Sequence, residues 1–111
     1  METARVSVAL SGDLNNVVYL NEISVPEASV LRALHGKGSV SIVYIESMNK
    51  RAHAVELKRL KGKYSSAIID KLFPGESPKL PVHFSDIGMS EPVEVVRNEI
   101  KVIDEEEQAE G

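Results

Sequence analysis

One segment of this chain, residues 24–36, carries signals for both ends of a helix and lies between stretches with β-type patterns. Pro26 is tolerated in the first turn because its missing N–H would have no helical partner there. Glu27 complements the positive end of the helix dipole. Gly36 supplies the left-handed stop that commonly follows a helix. An apolar stripe completes the pattern, formed by Val30, Leu31 and Leu34. We therefore predict a helix that begins after Ser24, with His35 in its last turn.

Strand patterns stand on both sides of this helix. Arg5–Leu10 alternates apolar and polar residues, which predicts a half-buried strand. Val17–Leu20 predicts a second strand, and the turn-forming residues 11–16 between them predict a hairpin with a long loop. After the helix, Ser39–Ile45 is apolar on both faces, which predicts a central strand covered on both sides.

The second half of the chain predicts two more helices and an irregular connector. Residues 50–63 form an amphipathic pattern with a basic outer face and with His53, Leu57, Leu60 and Tyr64 on the other side. A short helix is predicted over Ala67–Phe73. Residues 76–92 contain three prolines and predict a mostly irregular connector with one extended piece, Leu80–Phe84. Residues 93–103 return to strand character, as one strand or as a hairpin.

These elements predict a single α+β domain over residues 1–103, with the proline-rich connector inside it. A chain of 111 residues with 42% hydrophobic side chains can build one core. We expect a small, mostly antiparallel sheet made of the N-terminal hairpin, the central strand and a C-terminal strand or hairpin. Two or three helices pack against it. Residues 104–111 have five acidic side chains and one apolar side chain, which predicts a disordered acidic tail.

Composition restricts the compartment and the chemistry. The chain has no cysteine, so disulfides, thiolate catalysis and cysteine-ligated metal sites are excluded. No apolar run approaches the roughly 20 residues of a membrane span, and the first residues lack the pattern of a signal peptide. We expect a cytoplasmic protein without a membrane partner.

Charge is divided unevenly along the chain. Residues 50–79 contain eight basic and three acidic side chains, whereas residues 80–111 contain two basic and nine acidic ones. The candidate interaction surface, called here the basic surface, consists of Arg51, Lys58, Arg59, Lys61 and Lys63. Opposite charges attract, so we also hypothesise that the acidic tail screens Lys58, Arg59 and Lys61 in the free protein.

The sequence predicts no catalytic residue, no cofactor site and no metal site. Its three histidines, His35, His53 and His83, are scattered without the spacing of metal ligands. Residues 36–39 contain glycine and lysine, but they follow a helix and precede a strand, which is the reverse of a phosphate-binding loop. The carboxylates lie at turns and helix ends, where capping explains them. We therefore predict a protein that is not an enzyme.

A longer combination of motifs carries a family resemblance. It consists of the run Val25–Gly36, a following strand, Arg51, and the helix 56–60 ending at Tyr64. In this combination the chain resembles small conserved proteins of unassigned function from tailed bacteriophages, over about residues 5–75. The resemblance implies a viral accessory protein that acts in the host cell cytoplasm or is built into the virion. It brings no catalytic residues.

Three functions follow from these observations. The first is a protein–protein interaction module that binds a host or phage protein, or assembles with copies of itself as a homo-oligomer. An alternative is nucleic-acid binding through the basic helix 50–63, with affinity that falls as salt rises. A further alternative is a small-nucleotide-binding sponge, or an enzyme without a recognisable motif, with a pocket between subunits in which Arg32, Lys37 or Arg51 contacts the anion.

Overall fold

A computed structural model describes residues 1–92 of the chain. The three strands are β1 (Glu2–Ala9), β2 (Val17–Ser24) and β3 (Val40–Met48), and the three helices are α1 (Val25–His35), α2 (His53–Lys63) and α3 (Ser66–Leu72). Short 3-10 turns occupy Leu10–Gly12, Lys37–Ser39 and Phe84–Ile87. The predicted α+β class is confirmed. The strand or hairpin predicted over 93–103 and the acidic tail predicted over 104–111 lie outside the described residues.

The strands form one antiparallel sheet in the order β2-β1-β3. The predicted hairpin is present, and its second strand runs four residues beyond the predicted Leu20 to Ser24. Among the strands formed by residues 1–92, β1 is the central one and β3 lies at an edge, whereas the sequence predicts a central strand over residues 39–45.

A β-bulge explains why the sequence of β3 has the apolar pattern of a strand buried on both faces. Val6 pairs with Ile42 and Arg5 with Tyr44, so Val43 is an extra residue without a partner on β1. Because of this insertion, Ile42 and Ile45 both pair with core residues of β1 instead of pointing to opposite faces. The bulge shifts the alternation of inward and outward side chains by one residue. The consecutive apolar residues of β3 therefore do not mean that both faces of the strand are buried.

Helix α1 lies between the sheet and the other two helices. Its sheet-facing side joins the larger apolar cluster, which includes Val6, Val8, Val25, Ala28, Leu31, Ile42 and Phe84. On its other side, Val30 packs with Leu60 of α2 and Ile69 of α3 in a second cluster. The described fold is thus a sheet, a central helix and an outer helical pair in succession.

The ends of α1 match the sequence signals. The Ser24 hydroxyl accepts a hydrogen bond from the Glu27 backbone N–H (3.2 Å), and Val25 and Pro26 open the helix. Gly36 follows His35 with a φ of +106°, a conformation that side chains other than glycine rarely adopt. Both ends of the predicted helix are confirmed.

The connector 76–92 is irregular apart from the 3-10 turn at Phe84–Ile87. It is nevertheless anchored, since Leu80 and Phe84 are buried. The Leu80 backbone N–H also donates to His53 Nδ1 at the start of α2 (3.1 Å). Phe84 and Met89 of the connector pack with residues of α1 and the sheet in the larger apolar cluster.

Helix α3 offers a matched test of capping. The Ser65 hydroxyl accepts a hydrogen bond from the Ile68 backbone N–H (3.3 Å), whereas the neighbouring Ser66 is exposed. Ser65→Ala should lower the free energy of unfolding by about 1 kcal/mol, because a helix N–H loses its partner. Ser66→Ala should change it by less than about 0.5 kcal/mol. Urea unfolding followed by circular dichroism measures both, and equal effects would contradict the capping role of Ser65.

Candidate functional site

Three residues of the basic surface contact two buried carboxylates. Arg59 bridges them: its Nη2 lies 2.6 Å from Glu27 Oε1 and 2.8 Å from Glu56 Oε2. Its Nε also donates to Glu56 Oε1 (2.9 Å). The side chains of Glu27 and Glu56 are 1% and 0% exposed. One guanidinium thus forms ion pairs with carboxylates from two helices.

Further donors complete this arrangement, called here the carboxylate cluster. Arg51 Nη1 lies 2.5 Å from Glu56 Oε1, and the Ser24 hydroxyl donates to Glu56 Oε2. On the other carboxylate, Lys63 Nζ and the Tyr64 hydroxyl donate to Glu27 Oε2 at 2.7 and 2.6 Å. All four carboxylate oxygens therefore accept at least one hydrogen bond, as buried charges require.

Helical spacing positions the cluster. Glu27 lies in the first turn of α1, where the dipole favours a negative charge. Glu56, Arg59 and Lys63 are separated by three and four residues on α2, so they share one face of that helix. This face of α2 packs against the first turn of α1, where Arg59 and Lys63 form ion pairs with Glu27.

The two carboxylates stay ionised at neutral pH. Burial of Glu56 raises its pKa, but hydrogen bonds from Arg59, Ser24 and Arg51 outweigh burial and hold the pKa at about 2. The pKa of Glu27 is likewise lowered, with burial opposing and donation from Arg59, Lys63 and Tyr64 prevailing. Burial and the Glu27 carboxylate raise the pKa of Tyr64. A carboxylate saturated with donors is suited to fastening helices together and not to carrying protons.

The other two residues of the basic surface point away from the cluster. Lys61 Nζ lies 3.1 Å from Asp70 Oδ1 of α3, and this pair is exposed. Lys58 is exposed and forms no ion pair with the described part of the chain. The five predicted residues therefore divide into three that hold buried carboxylates, one that holds α3 and one that faces solvent.

Sequence reasoning missed the buried state of Glu27 and Glu56. The sequence predicts only that Glu27 complements the helix dipole, and it makes no prediction that Glu56 faces inward from α2. One signal was present, because Glu56 precedes the apolar Leu60 by four residues and therefore shares its face. The sequence has no comparable signal that Glu27 of α1 pairs with residues of α2.

The three histidines lie in separate places. His35 Nδ1 accepts from the Ser11 backbone N–H (3.0 Å), and His53 Nδ1 accepts from Leu80. His83 directly precedes the 3-10 turn at Phe84–Ile87, and its Nδ1 lies 3.9 Å from Glu2 Oε2. Within residues 1–92, no group of three or more histidine, cysteine or carboxylate side chains converges on a point where a metal ion could bind.

A second surface is the side of the sheet opposite α1. It is called here the open sheet face and comprises Arg5, Ser7, Val17, Tyr19, Ser41 and Tyr44. Tyr19 and Tyr44 are 57% and 48% exposed. The Arg5 guanidinium lies 5.2 Å from the Tyr19 ring centroid, and Arg5 pairs with Tyr44 across β1 and β3. The described helices pack on the other side, so Arg5 stands on the uncovered side with its guanidinium over the Tyr19 ring and with Tyr44 beside it on the neighbouring strand.

A third feature is a cleft of about 620 Å³, called here the Arg32 cleft. Its walls include Arg32, Lys37, Val40, Ile42, Met89 and Pro92. Arg32 Nη1 donates to the Ile87 carbonyl oxygen (2.5 Å), which fixes the guanidinium at this wall. Arg32 and Lys37, two of the three predicted anion contacts, are thus brought together, whereas Arg51 belongs to the carboxylate cluster.

Comparison with known proteins gives no relative: no family model matches the chain, and no curated protein or solved structure shows significant similarity to it. The resemblance to bacteriophage proteins therefore stays a prediction.

None of the helices formed by residues 1–92 has the length and apolar character needed to cross a bilayer.

Proposed function

We propose that this protein is a non-enzymatic interaction module that binds a protein partner through its open sheet face. The observation that carries the proposal is the row formed by Tyr19, Arg5 and Tyr44 on the uncovered side of the sheet. Tyrosine and arginine are enriched where protein interfaces derive most of their binding energy. Exposed tyrosines that cover a rigid sheet lose little conformational freedom when a partner packs on them.

The same surface suits a partner with apolar and acidic groups. Val17 and the two tyrosine rings offer apolar area, and Arg5 offers a cation whose Nη1 is held by Asn21 Oδ1 (2.8 Å). A carboxylate of the partner could pair with Arg5 while apolar side chains cover the rings. The resemblance to tailed-phage proteins suggests a viral accessory role, with a host or phage protein, or a second copy of this chain, as the partner. In that setting the protein would act in the host cytoplasm or in the virion.

Nucleic-acid binding through the predicted basic helix 50–63, of which residues 53–63 form α2, has weaker support. Arg51, Arg59 and Lys63 are engaged with Glu27 and Glu56, so phosphates would compete with buried carboxylates for them. Exposed aromatic rings on a sheet can also stack with single-stranded bases, which makes the open sheet face the place where the two functions must be distinguished.

Replacing both tyrosines tests the proposal. Tyr19→Ser/Tyr44→Ser should weaken binding to the protein partner by roughly 30-fold or more, since the loss of even one central aromatic contact costs about 2 kcal/mol. The partner is first captured from host or infected-cell lysate and purified, and its Kd is measured by isothermal titration calorimetry. Sedimentation velocity measures self-association of the same proteins.

Val55→Ser is the matched control, because Val55 is equally exposed but lies on α2, away from the sheet. It should leave the Kd unchanged. Equal binding by the control and the double variant would contradict the proposal. Tight binding of wild-type protein to a single-stranded oligonucleotide, lost in the double variant, would replace it with nucleic-acid recognition.

A further inference from the structure

The outer edge of β2 is an unpaired strand edge in the part of the chain that the structure describes. β2 is the last strand on one side of the order β2-β1-β3, and no strand of residues 1–92 pairs with it there. Such an edge presents backbone N–H and C=O groups that can pair with another strand. On the other side of the sheet, the Ile45 N–H of β3 already donates to Glu91 Oε2 of the connector (2.7 Å).

The hydrogen bonds of the hairpin show which backbone groups of β2 point outward. The Leu10 N–H donates to the Asn16 carbonyl oxygen (3.0 Å). These two residues directly follow the pair formed by Ala9 and Val17. Bonded and non-bonded pairs alternate in an antiparallel ladder, so Val17 and Tyr19 both belong to non-bonded pairs with β1. Their backbone N–H and C=O groups therefore point toward the outer edge.

The side chains of residues 17–21 suit pairing with an identical strand. This segment, Val-Val-Tyr-Leu-Asn, contains no charged residue and no proline, which are the residues that commonly protect an edge. An antiparallel copy centred on Tyr19 places Val18 of each strand opposite Leu20 of the other. Both of these side chains are half-buried at the border of the larger apolar cluster, so this register extends the cluster across the axis. A shift by two residues would instead set Val18 opposite Glu22, or Leu20 opposite Asn16.

We propose that β2 pairs antiparallel with β2 of a second copy, about a two-fold axis at Tyr19, and that the two sheets form one sheet of six strands. Each Tyr19 exchanges both backbone hydrogen bonds with Tyr19 of the other copy. Every other contact is also made twice, as in any isologous interface. The inference goes beyond the proposed function, because it uses the backbone edge of the sheet. The open sheet faces of both copies then lie side by side, available to the proposed partner.

Val17→Pro tests the edge in the full chain and leaves both tyrosines in place. Proline is tolerated at the first residue of an edge strand, and the N–H that it removes points outward and not to β1. The dissociation constant of the dimer, measured by sedimentation equilibrium, should rise at least roughly 10-fold, because the donor is lost at both symmetry-related positions. Val17→Thr is the matched control. It keeps the β-branched shape and the backbone N–H, so the dissociation constant should stay nearly unchanged.

A nitroxide label measures the geometry of the dimer. Because the protein has no cysteine, Ser41→Cys gives one exposed labelling position per copy. Ser41 pairs with Ser7, and Ser7 pairs with Tyr19. Two strand spacings in each copy and one between the copies place the labelled Cα atoms about 24 Å apart, at about 4.8 Å per spacing. Double electron–electron resonance should show one peak near this separation, widened by the length of the label, and Val17→Pro should remove it.

Three results would overturn the proposal. They are a wild-type protein that stays monomeric at millimolar concentration, a dimer that is as tight with Val17→Pro as with Val17→Thr, and a label separation far from five strand spacings. The first is the result expected if residues 93–103 of the same chain cover the edge. If Val17→Pro does not fold, as judged by circular dichroism, the label separation in the wild-type background decides.

Failure of the dimer is distinguishable from failure of the proposed function. A different protein that binds the open sheet face would still be captured by a monomer, and its binding would still depend on Tyr19 and Tyr44. Conversely, a dimer that is weakened by Val17→Pro supports the edge pairing even if no other protein is captured.

Discussion

Arg59→Met is expected to lower the free energy of unfolding by about 3–5 kcal/mol, a large part of what a domain of this size has available. Among the described residues, the guanidinium is the one group that donates to the carboxylates of both Glu27 and Glu56. Removing it leaves two fully buried carboxylates with fewer donors, and an uncompensated buried charge is far more costly than the lost attraction alone. Urea unfolding at neutral pH measures the effect.

The neighbouring lysine is the control for Arg59→Met. Lys58→Met removes a cation of similar length from the exposed side of α2 and should change the free energy of unfolding by less than about 0.5 kcal/mol. A second variant, Glu56→Gln, completes a double-mutant cycle. The double variant should be clearly more stable than the sum of the single changes predicts, because the two residues share one set of contacts. Additive effects would show that Arg59 and Glu56 are not coupled.

The protein should lose stability as the pH falls from about 5 to about 2. Glu56 has a pKa of about 2 when folded, against an ordinary value of 4.5, so the unfolded chain takes up its proton first. Its contribution is complete above the unfolded pKa, on the order of 3 kcal/mol, and is lost as the pH falls through the folded value. Glu27 acts in the same direction, since its pKa is also lowered. Urea unfolding across a pH series measures this slope.

Two amide substitutions separate the carboxylate cluster from other acidic groups. Glu56→Gln should flatten the stability profile between pH 5 and pH 2. Asp86 also has a lowered pKa, caused by the backbone N–H groups of His83 and Val82, but it is exposed. Asp86→Asn should therefore preserve most of the slope. If Asp86→Asn removes the slope and Glu56→Gln does not, the acid sensitivity does not come from the carboxylate cluster.

Local signals were sufficient for much of the fold. The ends of α1 follow from Pro26, Glu27 and Gly36, residues whose preferences depend on a few neighbouring peptide groups. The hairpin follows from alternation and from turn-forming residues between β1 and β2. The position of β3 could not be predicted in this way. Its bulge at Val43 depends on pairing with β1, more than thirty residues earlier, and such pairing leaves no mark in the pattern of one strand.

The candidate site also has features that the sequence could predict and features that it could not. Charge counting identified Arg51, Arg59 and Lys63, but it could not tell that they hold buried carboxylates. Glu27, the partner of Arg59 and Lys63, belongs to another helix, and Glu56, the partner of Arg51 and Arg59, is buried only because α2 packs on α1. The open sheet face required the strand order before Tyr19 and Tyr44 could be placed on one surface. Long-range contacts therefore decide which of the predicted charges are available to a ligand.

The position of α1 has a consequence for how the domain melts. Ala28 and Leu31 belong to the apolar cluster on the sheet, and Val30 belongs to the cluster with α2 and α3. Neither cluster can come apart while α1 keeps its native neighbours on both sides. The sheet and the outer helices should thus open in one concerted event and share a common limit of amide protection, although they have few contacts with each other.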